Sequence, residues 1–216
     1  MTDPLSQLSD NCEYRRRAPG VDRTVSFRRV ALPRDLERLH AWLTSDHVRP
    51  YWGMGAPLPA FRRTLADRLT DDHVTSYVGR VDGVPMSYFE RYWAAEDPLA
   101  DHYDARDADQ GIHLLIGPEE YLGRGYGTAL LRAMTDLAFA HTGADRVVAE
   151  PDAGNAAAIR AFEAVGFRRR GEFRFPHEGK EAALLVCGRD RFRREFAPGA
   201  LDTGAAGTAP SPEVDG

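Results

Sequence analysis

Apolar positions divide the chain between residues 25 and 189 into alternating strand and helix patterns. Val25 to Ala31 reads as a strand, and Pro33, with φ already fixed, opens a helix with Leu36, Leu39, His40 and Leu43 at helical spacing. His40 on that stripe reads as a core histidine. A second amphipathic helix runs from about Pro59 to Asp71, after the aromatic loop His47 to Gly53. Thr75 to Val81 and Val84 to Trp93 flank Asp82-Gly83, a dipeptide that accepts the positive φ angles of a tight turn, and so predict an antiparallel hairpin. Ile112 to Ile116 reads as a buried strand and Tyr126 to His141 as a helix with Leu130, Leu131, Met134, Leu137 and Ala138 on its apolar stripe. Arg146 to Glu150 predicts a short strand, Ala156 to Val165 a helix closed by Gly166, and Phe167 to Phe175 and Ala182 to Arg189 the last strands. The pattern predicts an α+β fold with helices flanking a mixed, mostly antiparallel sheet.

Outside this region the chain has little to bury. Residues 1–24 are polar, with Arg15, Arg16, Arg17 and Pro19-Gly20, and read as a loose arm; residues 198–216 are Gly, Ala, Pro, Ser and Thr-rich and read as a disordered tail. One domain over residues 25–197 is expected between them. No internal repeat interrupts it.

Composition narrows the partners. With 216 residues, 43% of them hydrophobic, the chain can fill one substantial core, and a net charge of -5 gives no general attraction to nucleic acid or acidic membranes. Arg168, Arg169 and Arg170 read as a solvated face. Cys12 and Cys187 offer neither a disulfide framework nor metal-ligand spacing, which fits reduced thiols in a cytoplasm. No apolar run reaches the roughly 18 residues of a membrane span, and the polar N-terminus lacks a signal-peptide pattern.

Chemistry concentrates where the strand Ile112 to Ile116 breaks into a glycine loop. Gly123, Gly125 and Gly127 leave the backbone open to an anion at the positive end of the following helix. Leu122 to Thr128 lacks the Gly-Lys-Ser/Thr ending of a triphosphate loop, and the preceding hairpin argues against a dinucleotide turn. A coenzyme A loop and a loop used only for packing remain.

Leu-Gly-Arg-Gly-Tyr-Gly-Thr at 122 to 128, with Glu150-Pro151, Asn155, Ala158-Ile159 and Val165-Gly166-Phe167, resembles the GNAT acyltransferase superfamily from about residue 25 to 196. The resemblance implies an acetyl-CoA or other acyl-CoA co-substrate and no metal. It implies cofactor contacts from Gly123, Arg124, Gly125, Gly127, Thr128 and Asn155, with Phe162 beside the pantetheine. Two positions depart from the pattern. Leu122 replaces the usual Gln or Arg, and Phe162 replaces a tyrosine that often protonates the departing thiolate and cannot do so itself.

Further blocks, Pro85 to Trp93, Glu96-Asp97, His102-Tyr103-Asp104, Gly111-Ile112-His113 and Phe173 to His177, are similar to the acyltransferases of hydroxamate siderophore biosynthesis. That group acylates N-hydroxylated diamines or amino acids such as N6-hydroxylysine. Aminoglycoside 6'-N-acetyltransferases share the glycine loop but tend to carry Asp where this chain has His113. A catalytically silent CoA-binding module is the third alternative. The small hydroxylamine or amine acceptor leaves open whether the protein is a monomer or a homodimer.

A hydroxylamine nitrogen is largely unprotonated near neutral pH, so it needs a proton acceptor only as the N–C bond forms. His113, with an ordinary pKa near 6.5, is the expected general base, oriented by Asp152. Asp152 ahead of Ala156 also suits a turn or helix cap. A strand amide at Leu115 or Ile116 would polarise the thioester oxygen. Trp52, Tyr88, Glu90, Trp93 and His177 are the acceptor-side candidates, Glu90 as the acid for a distal ammonium, although alternation along the strand puts Glu90 and Trp93 on opposite faces.

Overall fold

The computed structural model describes residues 12–53 and 55–196. Residues 1–11 of the expected arm and the expected disordered tail lie outside the described residues. Eight strands form one sheet: β1 (Cys12–Ala18), β2 (Arg23–Arg29), β3 (Val74–Val81), β4 (Val84–Trp93), β5 (Gln110–Ile116), β6 (Arg146–Ala149), β7 (Arg168–Phe175) and β8 (Lys180–Gly188), in the order β1-β2-β3-β4-β5-β6-β8-β7. Every neighbouring pair is antiparallel except β5 and β6. The helices are α1 (Leu36–Leu43), α2 (Leu58–Thr70), α3 (Tyr126–His141), α4 (Ala156–Glu163) and α5 (Arg189–Glu195).

Strand alternation sends side chains to two cores. Phe27, Tyr77, Phe89 and Ile112 meet Leu130, Met134 and Leu137 of α3 on one face. Val78, Tyr88 and Leu115 meet Leu39, Leu43, Phe61 and Leu65 of α1 and α2 on the other. Each large side chain buried in this way contributes roughly 1.5–3 kcal/mol. The β3–β4 hairpin closes on Asp82 and Gly83, at φ 46° and 82°, as the Asp-Gly pair predicts.

The structure corrects the sequence reading at both ends of the fold. Residues 12–18, expected in a loose arm, pair with β2 as an edge strand, with Tyr14 buried and its hydroxyl donating to Asp136 at 2.9 Å. The charged segment Arg189–Glu195, read without a helix, forms α5 around the buried Phe192. His40 is half-buried rather than a full core residue, its ring bonded to the Ala56 carbonyl at 3.0 Å.

Candidate active site

The site arises where the sheet's one parallel join runs out. β5 pairs with β6 only at Gln110↔Val147 and Gly111↔Val148. Beyond Gly111 the strands part, and a cavity of about 470 Å3 lies against His113, Glu90 and Ala149 to Asp152, with Trp52, Phe162 and His177 also on its wall. Gly117 N–H donates to the Met86 carbonyl at 2.9 Å, so the alternation of an antiparallel ladder aims the His113 and Leu115 amides at β4. Leu114 and Ile116 therefore present their amides to the gap. Of the two residues expected to polarise a carbonyl oxygen, Leu115 is ruled out by its ladder bond and Ile116 keeps the geometry. The Ile116 carbonyl accepts from the His47 ring at 3.0 Å.

His113 stands opposite Glu90 in the β4–β5 register, and its ring lies between two buried carboxylates. Its Nδ1 is 3.1 Å from Glu90 Oε2, and its Nε2 makes a short contact with Glu150 Oε1. Glu90 also accepts from Arg68 at 2.9 and 2.8 Å and from the Tyr88 hydroxyl at 2.7 Å. Glu150 accepts from the Tyr92 hydroxyl at 2.6 Å. Gly111 makes room for this last contact, since a Cβ there would fall 2.0–2.4 Å from the Tyr92 ring.

Charge follows from the geometry. Burial alone would lower the His113 pKa, but Glu150 and Glu90 reverse that and raise it to about 10. Burial would raise both carboxylates, yet His113, with Arg68 at Glu90 and Lys180 and Tyr92 near Glu150, holds each down at about 2. The resting site thus carries an imidazolium between two carboxylates, with both ring nitrogens engaged. The expected neutral imidazole of pKa near 6.5 is not the resting state, because a single opposite charge was expected beside it and two are present.

The other candidates separate. Trp52 lies on the cavity wall, with its ring 6.1 Å from His113 and 5.5 Å from Tyr88. Tyr88 is fully buried behind it, sharing its hydroxyl with Ser76 at 3.0 Å and Glu90, and braces the wall without forming it. Glu90 is no free acid for a distal ammonium, because Arg68, Tyr88 and His113 already occupy its oxygens. Trp93 is absent from the wall, at the end of β4 opposite Gln110 and on the other face from Glu90. Asp152 borders the cavity, but its carboxylate accepts from Gly154 N–H at 2.7 Å in a turn. Glu150 holds the position beside His113 that was expected of Asp152.

Asn155 and Phe162 also border the cavity, and the Asn155 side chain caps α4 by accepting from Ala158 N–H at 3.1 Å. The loop before α3 is open: Gly123 and Gly125 sit at φ 70° and 79°, and Leu122 and Arg124 are exposed. Gly127 and Thr128 follow in the first turn of α3, which carries no acidic residue to repel an anion.

Arg68, Tyr92, Glu178 and Lys180 were missed as site residues. Alternation put Tyr92 on the face of Glu90 and so offered a signal for it. Glu150 lies in the Glu150-Pro151 pair that carries the family resemblance, which by itself assigns the carboxylate no role. Arg68 reaches Glu90 from a different element, 22 residues away, and no local spacing announces it.

Residues 31–175 match the family described as acetyltransferase (GNAT) domain. An Escherichia coli protein named N(6)-hydroxylysine O-acetyltransferase is 34% identical over 84% of this chain, which spans 58% of that relative's length. An Acinetobacter baumannii N-hydroxyputrescine acetyltransferase is 32% identical over 80% of the chain and 81% of its own. Among solved structures, an uncharacterized Bacillus halodurans protein superposes with TM-score 0.80 at 40% identity, covering 84% of this chain and 92% of that one. The aminoglycoside acetyltransferase AAC(6')-Ib, in complex with coenzyme A, gives 0.71 at 29% identity over 79% of this chain and 98% of that one. The helix and strand order, the open glycine loop ahead of α3 and these matches agree, and the chain belongs to the GNAT acetyltransferase family.

Proposed function

We propose that this chain transfers an acyl group from acyl-CoA to the hydroxylamine nitrogen of a small N-hydroxylated diamine or amino acid, as in hydroxamate siderophore assembly. The observation that carries the reading is the occupied clamp: the His113 ring is bonded to buried Glu90 on one side and buried Glu150 on the other, and Arg68, Tyr88 and Tyr92 fill the remaining positions of those carboxylates. None of His113, Glu90 and Glu150 is poised to strip a proton from an alkylammonium at neutral pH. A hydroxylamine nitrogen is already neutral there and can attack unaided. The names of the hydroxylysine and hydroxyputrescine relatives support the same acceptor class.

In this reading the thioester of acetyl-CoA or a longer acyl-CoA enters the gap between β5 and β6, its pyrophosphate at Gly123 to Thr128. The backbone amide of Ile116 or Leu114 faces its carbonyl oxygen. As the N–C bond forms, the nitrogen becomes cationic and strongly acidic, and Glu150 takes its proton while His113 holds the charge. Collapse breaks the C–S bond, and the same proton returns to sulfur, a task Phe162 cannot perform. The products are a hydroxamate and free CoA thiol.

The test is thiol release by the purified protein with acyl-CoA and N6-hydroxylysine, N-hydroxyornithine or N-hydroxycadaverine, beside the parent amines and kanamycin. Turnover confined to the hydroxylamines, with a ferric-binding product, is expected. Turnover on kanamycin alone would replace the reading with aminoglycoside acetylation, and CoA binding without any turnover would make the chain a silent binding module.

A further inference from the structure

Two carboxylates at this cavity have no part in the clamp: Asp152, claimed by its own turn, and Glu178. Glu178 borders the cavity from the turn between β7 and β8, and its side chain is 42% exposed. One oxygen each of Glu178 and Glu150 and a ring nitrogen of His113 lie within 4.8 Å of one another, so they converge on a single point. At that point His113 and Glu150 are engaged with each other and with Glu90 and Tyr92. Glu178 is the exposed member of the three, bonded through one oxygen to Lys180.

Its position is built. Glu178 N–H donates to the Phe175 carbonyl at 3.3 Å and Gly179 N–H to Pro176 at 3.2 Å, which fixes the turn. Lys180, the only lysine in the sequence, holds the Glu178 carboxylate from one side at 2.7 Å. The Lys180 ammonium rests over the Phe175 ring at 5.6 Å, and its side chain is only 16% exposed.

We infer that the free side of the Glu178 carboxylate accepts the hydroxyl of the acceptor's N–OH group. The inference rests on the hydroxylamine reading above and adds to it a residue that selects the acceptor. A carboxylate is acceptor-only, so it pairs with the hydroxyl of a neutral hydroxylamine and leaves the nitrogen lone pair free, whereas a plain amine, protonated at neutral pH, meets it as an ammonium and is held unreactive. It also decides which of two adjacent nucleophiles reacts. With its proton directed to Glu178, the oxygen stays a hydroxyl, and the neighbouring nitrogen presents its lone pair to the thioester. The N–C bond then forms, the N–H proton goes to Glu150, and the O–H proton is never transferred.

The experiment compares wild type with Glu178→Ala and Glu178→Gln on an N-hydroxydiamine and its parent diamine, measuring kcat/KM and the ratio of hydroxamate to O-acyl product. Loss of one charge-assisted hydrogen bond predicts a fall of roughly tenfold or more in the hydroxylamine-to-amine preference for Glu178→Ala. The Gln variant falls between, since its amide oxygen can still accept. The O-acyl fraction rises, a readout that holds even if the parent diamine is not turned over. An unchanged preference and product ratio overturns the inference, whether the rates stay level or fall together. A wild-type enzyme inactive on every hydroxylamine defeats the functional reading itself, and the inference with it; an active wild type with unaltered variants defeats the inference alone.

Discussion

Removing the imidazole gives the sharpest test of the clamp, because its two carboxylates are left in unequal condition. In His113→Ala, Glu90 keeps the Arg68 fork at 2.9 and 2.8 Å and the Tyr88 hydroxyl at 2.7 Å. Glu150 keeps only the Tyr92 hydroxyl at 2.6 Å as a direct partner and loses the adjacent charge. Breaking a buried pair by removing one partner costs about 3–5 kcal/mol, and the lower end applies here because Glu90 remains neutralised. At about 2–4 °C per kcal/mol for a domain of this size, a 3 kcal/mol loss lowers the melting temperature by about 6–12 °C. The loss depends on pH. Glu150, left with only the more distant Lys180 charge, has its pKa raised above the wild-type value, so its burden is relieved when acid protonates it, and the deficit against wild type shrinks from pH 6.5 to pH 5. Adding Glu150→Gln to His113→Ala recovers much of the loss, since a neutral amide needs no cation. Urea unfolding at both pH values measures this. A deficit equal at pH 5 and pH 6.5 and unrelieved by the second substitution would show that the imidazole carries no charge and would sink the electrostatic account. Activity on the hydroxylamine falls about a hundredfold in the same variant.

Wild-type stability has a pH window of its own. Glu90 and Glu150, held at about 2 from an ordinary 4.5, contribute fully above pH 4.5 and lose that contribution as pH falls toward 2. His113, raised from 6.5 to about 10, contributes fully below pH 6.5 and loses it as pH rises toward 10. A pH series of urea midpoints should therefore plateau between about 4.5 and 6.5, and a maximum near pH 9 would contradict the clamp. Gly111→Ala puts a methyl 2.0–2.4 Å from the Tyr92 ring; a stability loss of about 3 kcal/mol is expected, together with impaired turnover. A thermal melt indistinguishable from wild type would mean that Tyr92 does not need to lie where Gly111 admits it.

The legible parts of the fold were those where one local signal sufficed. The apolar stripe of α3 gives its observed bounds, Tyr126–His141, and Asp82-Gly83 gives the hairpin. β1 escaped because an edge strand needs little apolar content: in Cys12–Ala18 only Tyr14 is buried, and the arginines face solvent. α5 escaped because one phenylalanine, Phe192, anchors an otherwise charged heptapeptide. At the site, His113 and Glu90 could each be singled out by type and position. Their pairing depends on the β4–β5 register, which sequence does not print, and the contact with Glu150 depends on how β6 approaches β5. Asp152 suits the partner's role by residue type and by the family resemblance, but its own turn claims its carboxylate.

The short β5–β6 join has a mechanical side. Strands β1 to β5 on one side and β6, β8 and β7 on the other are tied through the sheet at two residue pairs, and the next tie along the gap is the contact between His113 and Glu150. That contact behaves as a latch across a seam: closed by charge, it sets how far the two halves of the sheet can lean apart, and a molecule wedged into the seam works against it. The width of the gap between β5 and β6 is therefore coupled to a proton. Amides of β5 beyond Gly111 and of β6 should exchange with deuterium faster once pH rises past the titration of that one ring, while the β2–β3–β4 ladders stay protected.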